Sequence, residues 1–162
     1  MKATRVVISV ILILVQPLAD AGEHLPPVLS IRLLATNIAQ KMVSAAVADC
    51  ARNGYQVSAA VVDRNGNLAA FLRHPLAGPH TVKVSQRKAF TSATLKAATS
   101  ELSHRPDLNF APDILLIVGG VPIEFSGHFY GGVAVAGAPP EVDEQCALSG
   151  IAAISDVMDF VE

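Results

Sequence analysis

Hydrophobic residues recur at helical spacing in three stretches of the chain. Between residues 30 and 52 they return every three or four positions, which places them on one face of a helix, at Ile31, Leu34, Ile38, Met42 and Ala45. Ser30 is a suitable N-cap, and Asn53-Gly54 is a suitable end. Similar patterns predict a second helix over about residues 81–101 and a third over about residues 141–160.

Short apolar runs between these helices predict strands. They cover residues 55–62, 68–72, 114–118, the extended chain at 119–123, and residues 129–135. Asn65-Gly66 lies between the first two runs and favours a hairpin turn. Strands joined by tight turns are antiparallel, so the sequence predicts an α+β domain with an antiparallel sheet of about five strands flanked by helices. Gly131-Gly132 indicates a bulge or a close backbone approach.

The first 21 residues have the pattern of a cleaved secretory signal peptide. Lys2 and Arg5 precede an apolar run at residues 6–15, and Ala19-Asp20-Ala21 has the small-x-small form of a cleavage site. The apolar run is shorter than the roughly 20 residues that cross a bilayer. We therefore expect residues 22–162 to form a single exported domain, periplasmic or extracellular, with no membrane span after cleavage.

Composition excludes two classes of protein. The 14 acidic and 12 basic residues give a net charge of −2, which argues against a nucleic-acid partner. The 51% hydrophobic and 16% charged residues are too apolar for a disordered chain.

Cys50 and Cys146 are the two cysteines. In an oxidising compartment they could form a disulfide, and the alternative is two small buried thiols.

Two groups of residues could carry binding chemistry. His74 and His80 flank a loop rich in proline and glycine, where they could face one cleft and ligate a metal or a porphyrin iron, or simply be solvated. Arg87 and Lys88 lie on the second predicted helix, and a mixed pocket beside Lys88 would suit a flat apolar ligand with carboxylates. Histidine and cysteine spacing does not match a usual zinc site, and no nucleotide-binding glycine motif occurs.

Six segments of the chain carry a family resemblance. They are VVDRNGNL at 61–68, RKAFT at 87–91, TSEL at 99–102, GGVPI at 119–123, GVAVAG at 132–137 and DEQCA at 143–147. Together they resemble the GlcG/HbpS-like family of haem-binding proteins, which is related to the C-terminal domain of PduO-type proteins. The similarity extends over nearly all of residues 22–162.

The resemblance implies a three-layer, profilin-like fold, assembly into a homo-oligomer, and haem as the ligand of exported members. It also implies a link to a sensor protein, and a role in haem storage, sensing or degradation. Family members differ in their iron ligand, with threonine and histidine both used, so Thr91 and Thr99 are candidates by motif position. His74-Pro75 departs from the short acidic or glycine-containing turn that is usual in relatives.

Three hypotheses follow, and one of them is a purely structural oligomer without a ligand. The first is an exported haem-binding protein that holds the porphyrin between the second helix and the sheet, or between subunits, with Arg87 or Lys88 contacting a propionate. The second is a binder of, or an enzyme acting on, a small carboxylate metabolite, with the same cations as the anion site. Glu101 or Glu124 would then be the proton acceptor.

Overall fold

The protein is described by a computed structural model that covers residues 26–160. Residues from Ile31 onward form one compact unit. Residues 26–30 belong to a separate unit and contain no helix or strand. The predicted signal peptide lies outside the described residues. Within residues 26–160, no helix has the length and apolar character that crossing a membrane requires.

Four strands form one antiparallel sheet in the order β2-β1-β4-β3. The strands are β1 Ser58–Asp63, β2 Leu68–Arg73, β3 Gly120–Phe125 and β4 His128–Ala136. The helices are α1 Thr36–Arg52, α2 Thr81–Leu95, α3 Pro140–Ala152 and the short α4 Ser155–Met158, and 3₁₀ turns cover Thr99–Leu102 and Pro106–Phe110. This arrangement confirms the predicted α+β class with an antiparallel sheet.

The helices cover both faces of the sheet, which gives three layers. Helices α1 and α3 pack on one face, over a core of branched side chains that includes Val61, Val133 and Val135. Helix α2 packs on the other face, over a smaller cluster that contains Ala60, Ala134 and the helix residue Ala89. The small residues on this second face let α2 lie close to the sheet.

Gly132 marks a close approach of α2 to the sheet. A Cβ atom at this position would lie 2.4 Å from the carbonyl oxygen of Ala89 and 2.9 Å from the amide nitrogen of Ala93. Next to it, Gly131 has φ +146°, and a Cβ there would lie 2.0 Å from the carbonyl oxygen of Val62. The Gly-Gly pair therefore allows the close backbone approach that the sequence predicts.

The predicted strand over residues 114–118 is wrong, and the sheet has four strands rather than about five. Asp113 and Gly119 both have positive φ, which breaks the extended chain on each side of the segment. Its backbone bonds to side chains of α2 in place of a neighbouring strand.

The predicted helix ends also need correction. Helix α1 begins at Thr36, so Ser30 is not its cap. Helix α2 ends at Leu95, not at residue 101, because Lys96 adopts the left-handed conformation with φ 50°. The third predicted helix ends at Ala152, and the short α4 follows it.

Cys50 and Cys146 form a disulfide, which decides between the two alternatives left open by the sequence. Their Cα atoms lie 5.7 Å apart, and the bond joins α1 to α3 across a sequence separation of 96 residues. Both residues are fully buried in the core that these helices share with the sheet. The disulfide therefore fastens the two helices of one layer to each other.

Replacing both cysteines, as Cys50→Ala with Cys146→Ala, is expected to lower the free energy of unfolding by about 2–5 kcal/mol. The physical reason is that the crosslink restricts a long loop in the unfolded chain. Urea denaturation followed by circular dichroism measures this change. A double variant with the midpoint and slope of the wild type would show that the bond contributes nothing to stability.

Candidate functional site

A cavity of about 460 Å³ lies between α2 and the β1–β2 hairpin. Its apolar wall includes Val62, Leu68 and Phe90, and Lys83 and Arg87 supply positive charge. The full lining is Val62, Gly66, Leu68, Lys83, Gln86, Arg87, Phe90 and Asp113. An apolar wall with two cations suits a flat apolar ligand that carries carboxylates.

An irregularity in the hairpin places Leu68 in this cavity. Val61 pairs with Ala70, but Val62 pairs with Leu68, so the register shifts by one residue between them. Residues that lie opposite each other share one face of a sheet. The shift therefore brings Leu68 to the α2 face beside Val62, whereas unbroken pairing would place Ala69 there.

The hairpin turn is fixed by Asp63 and rests on Phe90. The Asp63 carboxylate accepts hydrogen bonds from the backbone N–H groups of Asn65 at 2.8 Å and Asn67 at 2.9 Å, and from Asn67 Nδ2 at 3.0 Å. Gly66 has φ +83°, and a Cβ on it would lie 2.6 Å from Phe90 Cε2. The glycine, with its positive φ and no side chain, lets the turn lie this close to the ring, and both Gly66 and Phe90 line the cavity.

The carboxylate form of Asp63 stabilises this turn. Burial alone would raise the pKa of Asp63, but hydrogen bonds from Asn67, Asn65 and Gly66 outweigh burial, and the pKa is lowered from its usual 3.8. A carboxyl group whose pKa is lower in the folded state stabilises the fold above its unfolded pKa. It loses this contribution as the pH falls through the folded pKa.

We expect wild-type stability to fall when the pH drops from 5 to about 2.5, and Asp63→Asn to lose less over the same range. Urea midpoints measured across that range test this. Asp113→Asn, which changes a carboxylate outside the turn, is the matched control. Identical pH dependence in wild type and Asp63→Asn would contradict the assignment.

Cavity residues of α2 lie on one side of the helix, and His80, which does not itself line the cavity, begins the same row. His80, Lys83, Arg87 and Phe90 are separated by three, four and three positions, which is the spacing of one helix face. His80 is the N-cap of α2 but has helical dihedral angles, φ −64° and ψ −28°, so it continues the row. Its exposed imidazole lies over Gly78, where a Cβ would be 2.8 Å from His80 Cε1.

Arg87 lines the cavity, and two of its five N–H groups are already used. Its Nε donates to the carbonyl oxygen of Asp113 at 3.4 Å, and its Nη2 donates to that of Ile114 at 2.7 Å. A guanidinium carries five donors. Three therefore remain for a carboxylate in the cavity.

Lys88 is corrected from a cavity cation to a buried structural residue. Only 1% of its surface is exposed, and its Nζ donates to Asp143 Oδ2 at 2.8 Å and to the carbonyl oxygen of Val135 at 2.9 Å. Burial lowers the pKa of the Lys88 ammonium, and Asp143 opposes that shift. Asp143 Oδ1 accepts the backbone N–H of Ala138 at 3.0 Å, so the pair joins α2, β4 and α3. The Lys88 ammonium is therefore not available to a ligand in the cavity.

Thr91 and Thr99 are also placed inside the domain. Thr91 donates to the carbonyl oxygen of Arg87 at 2.8 Å and accepts the backbone N–H of Leu115 at 2.8 Å. Thr99 accepts the backbone N–H of Gly120 at 2.9 Å. Both residues are buried, and neither lines the cavity. The structure therefore does not bring these hydroxyl groups to the cavity.

The remaining candidates lie away from the cavity lining. His74 is the first residue after β2, and its Nδ1 accepts the backbone N–H of Leu76 at 3.2 Å. Arg73 donates to the carbonyl oxygen of Ala77 and so helps shape the loop that carries both histidines. Glu101 and Glu124 are exposed and do not line the cavity. Among residues 26–160, no group of three or more His, Cys, Asp or Glu side chains is arranged to hold a metal ion.

The sequence pattern did not indicate Lys83, Gln86 and Phe90 as cavity residues. Their spacing with Arg87 was available in the sequence, but the pattern does not show which face of a polar helix meets a cavity. Leu68 and Asp113 could not be found in this way, because a register shift and a positive φ place them there.

This geometry defines a three-layer α+β domain. Its cavity has an apolar wall and two cations, and it lies beside α2, which packs on the sheet face opposite α1 and α3. Residues 34–152 match the family model described as haem degrading protein HbpS-like, and the chain belongs to this family. Protein GlcG of Escherichia coli K12 is 30% identical over 109 residues, which are 64% of this chain and 81% of GlcG.

Solved structures agree with this assignment. A double mutant of Streptomyces reticuli HbpS is 35% identical with a TM-score of 0.75, covering 95% of this chain and 99% of that one. A structure of HbpS is 39% identical with a TM-score of 0.75, covering 79% and 94%. The PduOC:haem complex is 25% identical with a TM-score of 0.71, covering 76% and 96%.

Removing one partner of the buried ion pair tests the structural role of Lys88. Lys88→Met leaves the Asp143 carboxylate buried without its cation, and we expect a loss of about 3–5 kcal/mol in the free energy of unfolding. Lys88→Met combined with Asp143→Leu should recover much of that loss, because no buried charge remains. Lys83→Met, which removes an exposed cation of α2, is the control for stability. Urea denaturation measures all four proteins, and a single variant as stable as wild type would contradict the pair's role.

Proposed function

We propose that this chain is an exported haem-binding protein that holds the tetrapyrrole in the cavity between α2 and the hairpin. The observation that carries this proposal is the combination of an apolar wall with the cations Lys83 and Arg87. Membership of a family described as haem degrading, and similarity to a protein solved as a haem complex, support the choice of ligand.

The described residues fit haem in two respects. Val62, Leu68 and Phe90 supply apolar contact for the macrocycle, and Phe90 offers an aromatic ring for stacking. Lys83 and Arg87 supply charge-assisted hydrogen bonds to propionates. When bound, haem would supply the redox and oxygen chemistry of its iron.

His80 is our candidate for the iron ligand. It lies at the start of the helix row that leads to Lys83 and Arg87, and its imidazole is exposed. His74 has one ring nitrogen committed to the loop backbone and does not belong to that row. Thr91 and Thr99 are less suitable, because their hydroxyl groups already bond inside the domain.

Export, a homo-oligomeric state and a sensor-protein partner are further parts of the proposal. They are supported by the N-terminal sequence pattern and by the family resemblance. Storage, sensing and degradation differ in what happens to bound haem. Anaerobic and aerobic spectra of the hemin complex with a reductant separate degradation from the other two, because only degradation yields biliverdin-like products.

A small carboxylate metabolite remains the second candidate ligand, and the pair Lys83 and Arg87 favours it. This hypothesis predicts binding of short carboxylates without any preference for a porphyrin. Competition between hemin and a dicarboxylate such as succinate distinguishes the two. Displacement of hemin at millimolar succinate would favour the second candidate.

Hemin titration followed at the Soret band tests the cavity. We expect Lys83→Met to raise the dissociation constant for hemin about tenfold, the effect of losing a hydrogen bond from a charged group. Lys96→Met removes a cation that directly follows α2 and lies outside the cavity lining, and this variant should bind like wild type. Absence of a Soret change in the wild type at micromolar hemin would overturn the proposal.

The iron ligand needs a separate test. We expect His80→Ala to shift the Soret maximum and weaken hemin binding, while binding of iron-free protoporphyrin IX stays within about twofold of wild type, since only the iron contact is lost. His74→Ala is the matched control on the same loop. A His80→Ala variant with the wild-type hemin spectrum would exclude His80 as the ligand.

A further inference from the structure

Residues 111–118, here called the strap, connect the 3₁₀ turn at Pro106–Phe110 to β3 without forming a helix or strand. Asp113 within it has φ 63°, a left-handed conformation that costs a non-glycine residue roughly 1 kcal/mol. Such a conformation persists only where surrounding contacts hold it in place. The contacts that hold the strap are therefore informative.

Helix α2 holds three consecutive strap residues through two of its side chains. Arg87 donates to the carbonyl oxygens of Asp113 at 3.4 Å and Ile114 at 2.7 Å. Thr91, one turn later, accepts the backbone N–H of Leu115 at 2.8 Å. The Thr91 hydroxyl also donates to the carbonyl oxygen of Arg87 at 2.8 Å, so its proton direction is fixed.

The strap contributes to the proposed haem cavity. Asp113 lines that cavity, and so does Arg87, which binds the strap with one part of its guanidinium. Thr91 itself does not line the cavity. Any effect of Thr91 on a ligand must therefore pass through the strap and Arg87.

We propose that Thr91 is a positioning residue for the ligand site, which acts by holding Leu115 so that the strap and Arg87 keep one arrangement. This inference rests on the proposed function. With the Thr91–Leu115 bond in place, the Arg87 guanidinium is held in one orientation before the ligand binds. Its remaining N–H groups therefore do not have to be ordered by the ligand. Without that bond, Arg87 alone must hold the strap. Ligand binding then has to order the strap and Arg87, which makes the free energy of binding less favourable.

The test compares Thr91→Val, which has nearly the same shape but no hydroxyl, with Thr91→Ser, which keeps the hydroxyl. Thr94→Val removes an exposed hydroxyl from the same helix and is the matched control. In the ligand-free proteins, amide hydrogen exchange over residues 111–118 should be faster in Thr91→Val than in wild type. Thr91→Ser and Thr94→Val should exchange like wild type. If Thr91→Val does not fold, Thr91→Ala serves as the hydroxyl-free variant.

Hemin titration gives the functional measurement. We expect Thr91→Val to raise the dissociation constant about five- to tenfold, the effect of one net hydrogen bond, and Thr91→Ser to restore binding. The Soret maximum should be the same in all variants, because Thr91 does not contact the iron. Hemin should also slow exchange of the strap in the wild type.

Each outcome decides the inference. Equal hemin affinity in Thr91→Val and wild type would overturn it while leaving the proposed function intact. A shifted Soret maximum in Thr91→Val would also overturn it, because the hydroxyl would then act at the iron. If the wild type does not bind hemin, the proposed function fails and the coupling to the ligand fails with it. Unchanged strap exchange in Thr91→Val would separately overturn the role of Thr91 in holding the strap.

Discussion

The close contact between α2 and the sheet is the constraint on which the rest of the structure depends. At Gly132 the helix backbone lies so near β4 that a single added carbon would collide with it. Ala60, Ala89 and Ala134 allow the same short distance on either side. Because little side-chain volume separates the helix from the sheet, larger residues on the flank of α2 must lie beside the contact. Phe90 and Arg87 lie there and form the cavity with the hairpin.

The same closeness explains the unusual position of Lys88. A lysine on the inner side of a helix pressed against a sheet cannot extend to solvent, so its charge needs a partner inside the domain. Asp143 supplies that partner from α3, which packs on the opposite face of the sheet from α2. Val135 of β4 supplies a carbonyl oxygen. Buried ion pairs contribute little net stability, but breaking one is costly. The pair therefore favours one arrangement of α2, β4 and α3 over alternatives.

Residues of a single family motif have different roles in this chain. In the segment RKAFT, Arg87 and Phe90 line the cavity and Lys88 is buried in the interior. Thr91 bonds to the strap, although all four residues are neighbours in sequence. Successive helix positions point about 100° apart, so five adjacent residues meet several environments. A motif that spans one and a half turns can thus serve the fold and a binding site together.

The sequence by itself determined the α+β class, the hairpin at Asn65-Gly66 and the close approach at Gly131-Gly132. Periodicity and glycine placement are local properties, and they act over a few residues. Tertiary structure alone decided three things: that residues 114–118 belong to the strap and not to a strand, that Lys88 is buried while Lys83 lines a cavity, and that Cys50 pairs with Cys146. Each of these depends on which distant backbone or side chain satisfies a polar group or a thiol, and no local pattern carries that information.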